Sequence, residues 1–159
     1  MEESGLDKLK QGYEILKNKY NLPSFDEMNK LFEIEELCDC ETDFLIRRIR
    51  RTISERVSGH LRFVETLLNP SNAPIFFFKL IKKLDSDDKE KLNNILEELG
   101  MFEIDLVKLD LEFNEEKEAE FVNNIFNRFS EIKKQLLEIV DKLENGDNKK
   151  EDNERSYFG

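Results

Sequence analysis

Tryptophan is absent from this chain, histidine occurs once, and its 159 residues include only two cysteines, three prolines and six glycines. Each shortage closes off a class of chemistry. A carboxylate-bridged di-iron bundle needs Glu-x-x-His on each of two helices, and His60 is the sole histidine. A serine or cysteine nucleophile would have only His60 as its base, and the nearby Ser58 falls on another helix face. Cys38 and Cys40 are too few and too close for a disulfide framework, and a four-coordinate zinc site needs two further ligands. No glycine-rich run exists to cradle a phosphate. Apolar runs last only a few residues, and the polar N-terminus MEESGLDKLK lacks the apolar core of a secretory signal. The expectation is a soluble protein of the reducing cytoplasm that is not an enzyme and carries no cofactor and no metal.

Acidic residues are plentiful. Aspartate and glutamate number 36 against 25 lysines and arginines, a net charge of −11. As a whole such a surface repels nucleic acid and anionic lipid, so no membrane partner is expected. Against that background, Arg47, Arg48, Arg50, Arg51, Arg56 and Arg62 crowd into the stretch RRIRRTISERVSGHLR. The guanidinium group grips carboxylate and phosphate in a planar fork that lysine cannot reproduce.

With so few glycines and prolines, the elements should be long. Leu6, Leu9, Tyr13, Leu16 and Tyr20 step by three and four, which predicts a helix that ends at Asn21-Leu22-Pro23. Ser24 and Glu27 stand where a capping box opens a short helix. The acidic stretch 33–41 reads as a connector. Thr42 or Asp43 caps the arginine-rich helix, whose Ile46, Ile49, Ile53, Val57, Leu61, Val64 and Leu68 keep one face for roughly 40 Å. Asn69-Pro70 stops it, and Pro74 opens a helix carrying Phe76-Phe77-Phe78, a triplet expected to lie in the core.

Asp85 or Ser86 caps the next helix, with Gly100 as its C-terminal cap. The following piece, MFEIDLVKLDLEF, is apolar on two sides: Phe102, Leu106, Leu109 and Phe113 on one, Ile104, Val107 and Leu111 on the other. That pattern predicts a helix buried between others. Asn114 caps a last long helix with a heptad seam over 122–143, fit to pack against the arginine-rich helix or to form a homodimer. From 145 the sequence is polar, and a disordered tail ending in Tyr157-Phe158-Gly159 is expected.

Turned through about 100° per residue, the arginines separate into two groups. Arg50 and Arg56 fall near the apolar stripe and need carboxylates or carbonyls, for which the connector is the expected source. Arg47, Arg48, Arg51 and Arg62 project outward. The fold expected is an all-α, elongated bundle of five to seven helices with two long antiparallel spine helices, a single domain over 1–144 and a tail over 145–159. The function expected is a protein–protein interaction module, an adaptor or complex subunit, in which Arg47, Arg48, Arg51 and Arg62 dock an acidic segment of a partner. The alternative is an RNA- or DNA-binding module that uses the same face. The plainer reading of these arginines is a solvated helix surface.

Overall fold

The computed structural model describes residues 3–39 and 43–157, apart from the side chains of Asn72 and of 146–157. All regular structure among these residues is helical: α1 (Gly5–Tyr20), α2 (Phe25–Phe32), a 3-10 segment (Ile34–Asp39), α3 (Leu45–Leu68), a 3-10 turn (Pro70–Asn72), α4 (Ile75–Ile81), α5 (Ser86–Leu111) and α6 (Glu115–Tyr157). Thr42 and Cys40 lie outside the described residues, as do the side chains of the expected tail beyond Asn145. No helix among the described residues is long and apolar enough to cross a membrane.

The chain divides into two compact units. One comprises the residues up to Gly59 with Gly100–Ser130, the other His60–Leu99 with the chain from Glu131 onward.

In the first unit, local chemistry sets each helix end. Ser4 accepts a hydrogen bond from the Asp7 amide to start α1, and Asn21 closes it in the left-handed region. Ser24 and Glu27 form the reciprocal capping box of α2. The Tyr13 hydroxyl donates to the Pro23 carbonyl at 2.7 Å, which satisfies the one polar atom of a buried ring, and burial pushes its pKa above the usual phenol value. Phe32 packs on Phe129 with ring centres 5.0 Å apart, and Phe102 meets Phe121 edge-on at 5.9 Å.

Three contacts set the register of α3 against α5 and the turn that follows it. The Arg47 guanidinium sits over the Phe113 ring, Arg50 pairs with Asp110, and Ser58 donates to Glu103. Residue numbers rise on one helix as they fall on the other, so the two run antiparallel. The Phe102–Phe121 contact and the short turn before Glu115 make α5 and α6 antiparallel as well. Within this unit the antiparallel partner of α3 is therefore α5, and α3 and α6 run in the same direction.

Two expectations are corrected here. Gly100 does not cap a helix, because α5 continues through it to Leu111. The reason is a stripe that never breaks: Leu92, Ile95, Leu99, Leu106 and Leu109 are all buried at helical spacing on either side of the glycine. The second concerns the opposite side of α5. Ile104, Val107 and Leu111 were expected to be buried, and they are 51%, 56% and 82% exposed.

In the second unit, Asp85 and Asp88 each accept a hydrogen bond from the other's amide at the start of α5. Lys142 of α6 pairs with Asp88 at 2.6 Å, and Lys83 donates to the Leu143 carbonyl. Ile132, Leu136, Ile139 and Leu143 are buried, as Val122, Ile125 and Phe129 are in the first unit. The heptad seam of 122–143 is thus covered within the chain, which leaves it closed to the homodimer expected through it. The phenylalanine triplet is also corrected, since α4 contains no buried residue.

Candidate docking surface

The arginine-rich helix handles its two groups of guanidinium groups differently. Arg50 is 1% exposed. Its Nε and Nη2 donate to the two oxygens of Glu118, and Nη1 donates to Asp110 at 2.8 Å. Burial works against its charge, and the hydrogen bonds it donates to Glu118 and Asp110 outweigh it, holding the pKa above the ordinary guanidinium value. Arg56 donates from Nε to the Phe32 carbonyl at 3.0 Å and from Nη2 to Glu33, with Glu36 also close. The acidic connector thus serves Arg56, as expected, while Arg50 draws its partners from α5 and α6 instead. Both arginines are structural.

Arg48 and Arg51 are exposed, and among the described residues neither side chain enters an ion pair. Arg47 is half-buried against Phe113, and its Nε is buried without a hydrogen-bond partner. These three belong to the first unit. Arg62 belongs to the second, where it borders a hollow of about 730 Å3 shared with Glu65, Pro74, Phe77 and Leu96. The four candidate residues therefore split between units as three and one.

Beside Arg51 lies a feature missed by the sequence reading, the open face of α5. Met101, Ile104, Val107 and Leu111 are all more than half exposed and follow one another at helical spacing. Given the register of α3 against α5, Arg51 and Val107 are the next positions outward from the paired residues on their respective helices. Lys108 is exposed on the other flank of the stripe. A cation thus stands on each side of an apolar strip; Glu103 and Asp110 of α5 are engaged by Ser58 and Arg50, while Asp105, Glu112 and Glu120 line a hollow with Lys108 and Leu111. The unbroken stripe through Gly100 was the signal that α5 is a single helix with only one face to bury.

A second opening lies at the start of α3. Phe44 holds φ at 56°, a conformation rare for a bulky residue, and is 68% exposed. Its ring meets Phe113 edge-on at 5.4 Å. With Ile15, Leu16 and Gly12 these rings line a groove of about 600 Å3.

The remaining candidates bring nothing together. Cys38 is half-buried with a free thiol, His60 is half-buried, and no cluster of three potential metal ligands occurs among the described residues. No protein-family model, curated protein or solved structure matches the chain.

Proposed function

We propose that the protein is a cytoplasmic, non-enzymatic interaction module, an adaptor or complex subunit, that docks an acidic segment of another protein on the α3–α5 face. One observation carries this reading. Among the described residues Arg48 and Arg51 are exposed and enter no ion pair, and Arg51 flanks the apolar stripe Ile104–Val107–Leu111, in a chain that neutralises Arg50 and Arg56 internally. An amphipathic helix would cover the stripe with its apolar side and meet the flanking cations with acidic residues. Exposed apolar strips rimmed by charge are characteristic of such contacts.

The nucleic-acid reading keeps one specific observation in its favour. Phe44 and Phe113 place exposed aromatic surface beside Arg47, and stacking together with cationic contacts is how single strands are held.

Fluorescence anisotropy separates the two. The probes are a designed helical peptide with leucines at i, i+3, i+4 and i+7 flanked by glutamates, its lysine-flanked counterpart, and labelled single- and double-stranded RNA and DNA. The expected result is binding of the glutamate-flanked peptide alone. It weakens more than about tenfold on Arg48→Glu/Arg51→Glu, a change of about 1.4 kcal/mol. Salt-sensitive binding of a nucleic acid, lost in the same variant, would replace this reading with the alternative.

A further inference from the structure

Among the described residues the most apolar helix, α4, has no fully buried residue. α4 has six apolar residues in seven, yet Ile75 is 79% exposed, Phe76 65% and Phe78 43%. Its composition is unusual for this chain in a second respect. From residue 66 to 84 there is no aspartate or glutamate, although the chain carries 36 of them, and the same stretch holds Lys79, Lys82 and Lys83. Arg62 and Glu65 of α3 both border the hollow that Pro74 and Phe77 line, so the lysines carry the net charge of the region.

The two kinds of side chain are sorted along the helix axis. Ile75, Phe76 and Phe78 occupy the N-terminal end, while Lys79 and Lys82, both exposed, occupy the C-terminal end and the residue just after it. At about 1.5 Å per residue, the rings and the second lysine are separated by roughly 5–10 Å. That matches the depth over which apolar side chains enter a bilayer interface while basic residues stay at headgroup level. A groove on a protein would require the apolar residues on one side of the helix. Here the exposed Ile75, Phe76 and Phe78 spread over about 160° of its circumference, which suits immersion in a fluid better than contact with a surface.

We infer that α4 is an interfacial anchor that inserts its aromatic end into an anionic lipid surface, with Lys79 and Lys82 facing the headgroups. The absence of carboxylates over 66–84 lets this one region approach a negative bilayer although the chain as a whole is acidic. This surface is built from residues of the second unit and the α3–α5 face from residues of the first, and either assignment stands if the other fails.

The test is co-sedimentation of the full chain with phosphatidylcholine vesicles, with and without phosphatidylserine, at low and moderate salt. Binding is expected only with phosphatidylserine and weakens with salt. Lys79→Gln/Lys82→Gln lowers the partition coefficient about thirtyfold, and Phe76→Ser/Phe78→Ser lowers it by more than about tenfold. Arg48→Glu/Arg51→Glu leaves it unchanged. Circular dichroism confirms that each variant keeps the wild-type melting temperature, as substitutions at exposed positions should. Failure to bind phosphatidylserine vesicles at low salt overturns the inference, as does binding indifferent to the Phe76 and Phe78 changes. Loss of binding in the Arg48 and Arg51 variant would move the lipid contact to the first unit. Self-association abolished by Phe76→Ser/Phe78→Ser, without vesicle binding, would assign the patch to a second copy of the chain.

Discussion

Arg50 and Glu118 are 68 positions apart and form a doubly hydrogen-bonded ion pair, Nε to Oε2 at 2.6 Å and Nη2 to Oε1 at 3.2 Å. Their side chains are 1% and 0% exposed. Such a pair gains little net stability over an apolar replacement, because desolvation of both charges offsets their attraction. Its loss on one side alone is costly, since the survivor stays buried and unpaired.

Arg50→Met should therefore destabilise the fold by about 3–5 kcal/mol, and so should Glu118→Leu. The double variant should recover most of that loss, because Asp110, the other partner of Arg50, is 59% exposed and can turn to water. Urea unfolding followed by circular dichroism measures all four corners of the cycle. Additive losses in the double variant would mean that the pair contributes nothing as a pair.

The inward placement of Arg50 was readable from the helical repeat; its partners were not. A wheel gives the direction of a side chain relative to its own helix and says nothing about which distant carboxylate arrives there. Arg56 was predictable on both counts because Glu33 and Glu36 lie close in sequence and in space. The open face of α5 was misread for a different reason. Ile104, Val107 and Leu111 alternate with Phe102, Leu106 and Leu109, and periodicity alone cannot show that one of two apolar faces lacks a cover. At α4 the triplet's hydrophobicity suggested core, but three consecutive helical positions point in three directions, and only Phe77 of the three is half-buried.

Glycine substitutions test the continuity of the long helices. Gly59 and Gly100 lie inside α3 and α5, without positive φ and with nothing within 4 Å of an added Cβ. Gly59→Ala and Gly100→Ala should each stabilise by about 0.5–1 kcal/mol. Gly5, the first residue of α1, behaves oppositely: its Cβ would stand 2.5 Å from the Cys38 carbonyl oxygen. Gly5→Ala should lower the melting temperature. If Gly100 were a left-handed cap, alanine there would destabilise too.

The carboxylates at helix starts set the response to acid. Hydrogen bonds from the Ser24 backbone and hydroxyl hold the Glu27 pKa below its usual 4.5. Asp85 is held below 3.8, chiefly by the Asp88 amide and also by the charge of Lys142. Both groups are depressed on folding, so their contribution is complete above those ordinary values. It declines as pH falls below them and is gone once pH passes the folded pKa values. The melting temperature should fall between about pH 5 and pH 2, and Glu27→Gln with Asp85→Asn should flatten the slope. A slope unchanged in the double variant would place the acid sensitivity elsewhere.

Polar substitutions along α5 distinguish an open face from a covered one. Leu106 is 3% exposed and Leu111 is 82% exposed, five positions apart on one helix. Burying a glutamine amide without partners while losing apolar contacts should make Leu106→Gln cost about 2–4 kcal/mol. Ile104→Gln and Leu111→Gln should stay within about 0.5 kcal/mol of wild type, since water already reaches both positions. Thermal unfolding of the three variants gives the comparison. If Leu111→Gln proved as costly as Leu106→Gln at low protein concentration, the stripe would be covered within the chain and unavailable to a partner. If the cost appeared only at high concentration, a second copy of the chain would be its cover. A neutral result at all concentrations leaves Met101, Ile104, Val107 and Leu111 as open apolar surface bordered by Arg51 and Lys108, which is what docking of an acidic helix requires.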